Sequence, residues 1–198
     1  MEITAEMVKT LRQRTGIGVM ECKQALKESK GDIEEAITIL RKKGYDRAKE
    51  KMEREAVDGI IGSYVHMNGK IGVLVEVNCE SDFVARNQEF QELVKNICLH
   101  IAASNPLYIS SDEIPEKVLK SEREIIREQF KDSNKPPQII DKIVEGKLQK
   151  FYQEVCLIDQ PYVKDDKITI NKLIASYIAK FGENIKVTRF TRYELGKS

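Results

Sequence analysis

The sequence predicts an α+β fold: an N-terminal three-helix module, then a small three-stranded antiparallel sheet packed with helices. Three observations carry this reading. Two alternating apolar runs, residues 60–67 and 70–79, flank Asn68-Gly69, and Asn-Gly between such runs is the strongest short-range hairpin signal. Residues 185–195 alternate in the same way and supply the third strand that independent stability of a small sheet requires. Phe90, Leu93, Val94, Ile97, Cys98 and Ile101 recur at helical spacing, the stripe of a helix that buries one face. A chain of 198 residues can bury roughly 70% of its extended surface, enough for a true core.

Taken in order, the first 45 residues read as three short helices. Thr4 caps the first, with Met7, Val8 and Leu11 on one face. Thr15-Gly16-Ile17-Gly18 breaks it, since glycine accepts the backbone angles of a tight turn. The second runs over about 19–29, with Cys22, Ala25 and Leu26 inward. Gly31-Asp32 opens the third, where Asp32 and Glu35 have the spacing of a capping box. Its stripe is Ile33, Ala36, Ile37 and Leu40, and Gly44 is expected to end it. Residues 46–55 are dense in both charge signs, with Glu50 and Arg54 at helical i,i+4 spacing, and read as a solvated helical linker. The expected domains are therefore 1–45, a linker 46–55, and a core domain 56–198.

The hairpin's second strand, with Ile71, Val73, Val75 and Val77 on one face, breaks at Cys79-Glu80-Ser81-Asp82. Ser81 and Asp82 are good N-caps, so a strand-to-helix corner presents Asp82 and Phe83 together. A carboxylate is at home in water and a phenyl ring is not. Either Phe83 folds back under the turn, as most Phe side chains do, or the pair awaits a partner surface. Gly59, Gly62 and Gly72 thin the sheet where a helix can approach. His66 reads as an exposed strand residue. Asn87 caps the helix that reaches about residue 103, and His100 falls off its stripe with no partner pattern.

Asn105-Pro106 ends that helix, and Pro115 suits the first turn of the next, which carries Val118, Leu119, Ile125, Ile126 and Phe130. Lys135-Pro136-Pro137 is another break, followed by a long helix through Ile139, Ile140, Ile143, Val144, Leu148, Phe151, Tyr152 and Val155. This helical pair, about 116–156, either packs antiparallel or forms a partner-facing arm. Residues 157–167 read as a loop around Gln160-Pro161-Tyr162-Val163. Thr169 caps a last helix, with Leu173, Ile174, Tyr177 and Ile178 inward, and Gly182 closes it.

Composition removes several function classes. With 33 basic and 32 acidic residues the net charge is +1, without the basic excess of a nucleic-acid binder. Cys22, Cys79, Cys98 and Cys156 are scattered with no CxxC pair, and only His66 and His100 could join them. They read as reduced, small apolar residues, so no metal and no cofactor is expected. No phosphate loop, GxSxG, HExxH or kinase set appears, and Asp82 has no acid–base partner nearby in sequence, so no enzyme activity is expected. No apolar run is long enough for a membrane span, and no signal or transit peptide is visible. The expected compartment is the cytoplasm, or an organelle stroma for a plastid-encoded chain.

Two stretches carry a resemblance. Residues 77–86 around Ser81-Asp82-Phe83-Val84 resemble the signature of the elongation factor Ts family, which usually has Thr in place of Ser81. Leu11-Arg12-Gln13-Arg14-Thr15-Gly16-Ile17-Gly18-Val19-Met20-Glu21-Cys22-Lys23-Gln24-Ala25-Leu26 is similar to that family's N-terminal motif. The similarity runs over essentially the whole chain. It implies a UBA-like (ubiquitin-associated-type) N-terminal module and guanine-nucleotide exchange on elongation factor Tu. Ser81, Asp82, Phe83 and Val84 would dislodge the partner's magnesium ion. Lys23 with the Gly16 and Gly18 turn would contact its G domain, and the sheet domain would reach a second domain. Short members of the family pair as homodimers, so a dimer is implied, with no nucleic acid and no membrane. Two other classes remain for comparison: a UBA-type adaptor without exchange activity, which leaves residues 81–84 unexplained, and an RNA-binding translation protein, which the charge balance disfavours.

Overall fold

The structure, a computed structural model, describes residues 3–131 and 136–197. Its elements alternate as an α+β protein: α1 (Ala5–Thr15), α2 (Val19–Glu28), α3 (Ile33–Lys51), β1 (Asp58–Val65), β2 (Ile71–Cys79), α4 (Asp82–Ala85), α5 (Gln88–Ser104), α6 (Glu116–Glu128), α7 (Pro137–Val155), β3 (Pro161–Tyr162), β4 (Asp165–Thr169), α8 (Ile170–Phe181) and β5 (Ile185–Glu194). β1, β2 and β5 form an antiparallel sheet in that order, and β3 pairs with β4 in a separate ribbon.

The chain clusters into two compact units. The first holds the residues up to Ile60, Asn78–Phe90 and Lys172–Lys186. Its helices begin and end as their caps dictate. The Thr4 hydroxyl accepts the Met7 N–H, and the Asp32 carboxylate accepts the Glu35 N–H at 2.8 Å. Gly16 closes α1 in the left-handed region at φ 70°, with its N–H on the Arg12 carbonyl at 2.8 Å. Val8, Leu11, Cys22, Ala25, Leu26, Ala36 and Leu40 form one buried cluster among α1, α2 and α3. The expected end of the third helix at Gly44 is corrected: α3 runs unbroken to Lys51. Gly44 serves close packing instead. A Cβ there would lie 3.0 Å from the Ala179 Cβ of α8, so only glycine admits that approach without displacement.

The second unit holds Ile61–Val77, Gln91–Asn171 and the residues from Val187 on. The hairpin turn forms at Asn68-Gly69, with Gly69 at φ 66° and the His66 N–H on the Ile71 carbonyl at 2.9 Å. The Leu195 N–H reaches the Lys70 carbonyl at 2.8 Å, which sets the register of β5 beside β2. Gly62 is where α5 comes closest: a Cβ there would meet Val94 Cγ1 at 2.4 Å and Cys98 Sγ at 3.1 Å. The opposite face of the sheet exposes Ile61 and Val65 from β1, Leu74 from β2, and Tyr193 from β5, with Leu195 just past its end.

α6 and α7 run antiparallel around Ile126, Val144 and Leu148, and Arg123–Glu145 and Arg127–Asp141 pairs cross between them. Lys135 of the expected Lys-Pro-Pro break lies outside the described residues, and α7 begins at Pro137. Two expectations are overturned in this unit. The stretch 157–167 is not all loop, because β3 and the start of β4 lie within it. His100 is not off the core but fully buried. Its Nε2 faces Gln160 Oε1 at 3.0 Å, and its Nδ1 accepts the Val163 N–H at 3.3 Å. Gln160 in turn donates to the Glu154 carbonyl at 2.7 Å. Each polar group thus has a partner, which is the condition for burying it at tolerable cost.

Candidate functional site

The corner after β2 is built by one cap. Ser81 keeps extended angles (φ −133°, ψ 153°), and its Oγ accepts the Val84 N–H at 3.4 Å, starting the single turn of α4. The turn is amphipathic. Val84 and Ala85 are buried, while Asp82, Phe83 and Arg86 face out. The Phe83 ring is 81% exposed. Of the two readings the sequence left open, the ring does not fold back beneath the turn. Asp82 pairs with Arg86 one turn on, at 3.0 Å, and its charge lies at the helix N-terminus, where the backbone dipole favours it.

A helix of four residues cannot hold itself, since nucleation costs more than one turn returns. The corner is held from outside. Glu183, in the turn after α8, accepts the Ser81 N–H at 3.0 Å and the Ser81 hydroxyl at 2.6 Å. Glu80 accepts the Asn184 N–H at 2.6 Å, and Asn184 Nδ2 donates to the Met52 and Arg54 carbonyls at 3.2 and 2.6 Å. Lys51 donates to the Gly182 carbonyl. The Cys79 thiol donates to the Ser81 carbonyl at 3.2 Å. Burial, reinforced by the Glu183 charge, pushes that thiol up to about 11, so it is a packing group rather than a nucleophile.

Sequence reasoning placed Ser81, Asp82, Phe83 and Val84 correctly on a corner but missed Glu183 and Asn184. They follow Gly182, more than a hundred positions away, and nothing local in sequence marks them.

The second predicted group lies on the three-helix module. Lys23 is exposed on α2, whose buried positions are Cys22, Ala25 and Leu26. Gly16 is demanded by the backbone: it has positive φ, and a Cβ there would meet Lys180 Cε at 2.9 Å. Gly18 is the α2 N-cap, with room for a Cβ. Val19 and Met20 are exposed on the same helix, Met20 by 76%. Met20 lies on the rim of an open groove of about 290 Å³ that Ile17, Leu40 and Ala179 also line. Met20 falls off the stripe set by Cys22, Ala25 and Leu26, a helical-wheel signal that could have found it, whereas Val19 lies on that stripe and is exposed as the first residue of the helix. Among the described residues no group of His, Cys, Asp and Glu could hold a metal ion, and no helix is long and apolar enough to cross a membrane.

A family model described as "Elongation factor TS" matches residues 2–197. Among curated proteins the chain is similar to "Elongation factor Ts" of Thermodesulfovibrio yellowstonii, at 57% identity over 198 residues, covering 100% of this chain and 98% of that protein. It is 55% identical over 197 residues to "Elongation factor Ts" of Fervidobacterium nodosum, covering 100% of both. It is 53% identical over 195 residues to "Elongation factor Ts" of Thermosipho melanesiensis, covering 98% of this chain and 100% of that one.

Proposed function

The chain belongs to the elongation factor Ts family, and from that premise we propose that it promotes GDP release from elongation factor Tu during translation elongation. A GTPase holds GDP through backbone amides at the phosphates and through magnesium. An exchange factor binds the state in which those contacts are loosened. By linkage it weakens GDP as much as GDP weakens it, at about 1.4 kcal/mol of preferential binding per tenfold loss.

Phe83 does this work by entering an apolar cleft of the G domain and displacing the groups around the magnesium ion. The carrying observation is a phenyl ring held largely in water on a corner clamped by Glu183 and Asn184. Burying such a ring contributes roughly 1.5–3 kcal/mol, one to two tenfold steps in nucleotide affinity. Val84 anchors the turn, Ser81 caps it, and Asp82 with Arg86 forms a charged rim beside the ring. The three-helix module, UBA-like in its arrangement, holds the G domain through Lys23 and the Gly16 and Gly18 turn. Gly16's part there is to shape the turn, and Val19 and Met20 add exposed apolar surface. No bond in the nucleotide is made or broken, so the activity is exchange, not enzymatic chemistry.

The chain acts as a homodimer, on the support of one feature. Ile61, Val65, Leu74 and Tyr193 share an exposed sheet face that a second copy would cover. It works where the ribosomes are, in a cytoplasm or an organelle stroma.

The test is release of fluorescent GDP from preloaded elongation factor Tu. The intact chain accelerates it, and Phe83→Ala loses roughly 10- to 100-fold of that acceleration. Full stimulation by Phe83→Ala removes the wedge. Sedimentation at high concentration that finds only monomer removes the dimer.

A further inference from the structure

We infer that Glu183 is a positioning residue for exchange, the group that aims the corner carrying Phe83. The inference rests on the exchange reading above and adds to it a residue outside both motifs. Glu183 binds Ser81 twice, through the backbone N–H and through the hydroxyl. The Ser81 hydroxyl gives its proton to the carboxylate while accepting the Val84 N–H, so the charge of Glu183 strengthens the cap that starts α4.

The contact is reciprocal. Residues 80 and 81 meet residues 183 and 184 in a double clamp: Glu183 takes Ser81, and Glu80 takes the Asn184 N–H. Asn184 then extends the clamp to the end of α3 through the Met52 and Arg54 carbonyls, and the Arg54 guanidinium lies 3.7 Å from Glu80. The turn 182–184 therefore ties the last turn of α3, which carries the three-helix module, to the corner that shows the ring. Asn184 Oδ1 is buried without a partner among the described residues. A lone buried acceptor is a cost to folding, tolerated here where two amide donations need a fixed direction.

Four helical residues have no stiffness of their own. Without Glu183 the corner keeps its place in the chain but loses its heading, and the ring meets the G domain at the wrong angle. Docking through the three-helix module is untouched. The maximal rate should fall while the half-saturating concentration stays.

The experiment measures fluorescent GDP release from elongation factor Tu over a range of factor concentrations, for the intact chain, Glu183→Ala, Glu183→Gln, Ser81→Ala, the Ser81→Ala/Glu183→Ala double variant and Phe83→Ala. Thermal melting of each is recorded alongside. Glu183→Ala is expected to lower the maximal rate about tenfold, equivalent to about 1.4 kcal/mol, with the half-saturating concentration within about threefold. Glu183→Gln, whose amide still offers an oxygen to the Ser81 N–H, should recover most of the loss. The double variant should be no worse than its poorer parent, because both remove one interaction. Wild-type exchange by Glu183→Ala beside an inactive Phe83→Ala overturns the positioning role and leaves the wedge standing. So does a loss that tracks only the unfolded fraction, or one that appears as weaker docking at full maximal rate. Full activity of Phe83→Ala removes the wedge, and the positioning role with it; no acceleration by the intact chain overturns the exchange reading itself.

Discussion

Phe83 and Phe90 make an internal control. Each follows a polar cap, Ser81 in one case and Asn87 in the other, whose side chain accepts a backbone N–H at the start of a helix. Phe90 is completely buried and Phe83 is 81% exposed. The difference is where the ring falls after its cap. Phe83 stands second in its helix and Phe90 third, and one residue turns the side chain by about 100°. In α5 the third position begins a stripe that Leu93, Val94 and Ile97 continue into the core. In α4 the buried side belongs to Val84 and Ala85, and the ring is left to solvent. An identical side chain thus serves cohesion in one place and display in the other, and the two should fail differently when removed.

The widest separation is expected in unfolding by urea. Phe90→Ala should cost about 3–5 kcal/mol, the loss of a buried ring plus the cavity it leaves. Phe83→Ala should stay within about 0.5 kcal/mol of the intact chain. Equal destabilisation would break the contrast, because it would make Phe83 a packing residue. Next comes Gly62→Ala, which drives a methyl group into Val94 and Cys98 on the buried side of α5 and should cost about 1–3 kcal/mol by overpacking, again by urea unfolding.

The buried side of α5 also carries a titratable group that the corner lacks. Burial lowers the His100 pKa, against a smaller raising effect of the Gln160 hydrogen bond. A lowered histidine pKa means the unfolded chain binds the proton more readily. Stability should therefore be full above the ordinary histidine range near 6.5 and fall as pH drops below it, with a slope no steeper than one proton. Protonation at Nδ1 would set two N–H groups against each other at Val163. Unfolding midpoints from pH 8 to 5 should show the decline in the intact chain and a shallower one in His100→Gln. The smallest effect belongs to the corner's own ion pair: Asp82→Asn should shift stability by no more than about 0.5 kcal/mol, since both partners are exposed. A large shift would mean that the pair shapes the corner rather than rimming it.

What was legible in sequence follows from the range of the forces involved. Caps at Thr4, Asp32, Ser81 and Asn87 act over a few residues, and so do the Asn68-Gly69 turn and the stripe of α5. Each could be read directly. Gly44 misled because a glycine that ends a helix and one that admits a neighbouring helix look alike until Ala179 is in place. His100 misled because its partners, Gln160 and the Val163 N–H, come from a stretch that reads as loop. At the candidate site the motif residues were legible and their brace was not. Ser81 and Phe83 sit in one short run, whereas Glu183 becomes their neighbour only when the chain has folded.

The four cysteines, all buried and unpaired, give this protein a way to report on itself. Burial pushes the thiols of Cys79, Cys98 and Cys156 up to about 11, so at neutral pH they are held as thiols rather than reactive thiolates. An alkylating reagent should therefore leave the native chain nearly unmarked and label each site only during an opening of its surroundings. The three lie at the end of β2, within α5 and just after α7. Their separate labelling rates would act as three stopwatches, timing how often each neighbourhood breathes without any probe having been added.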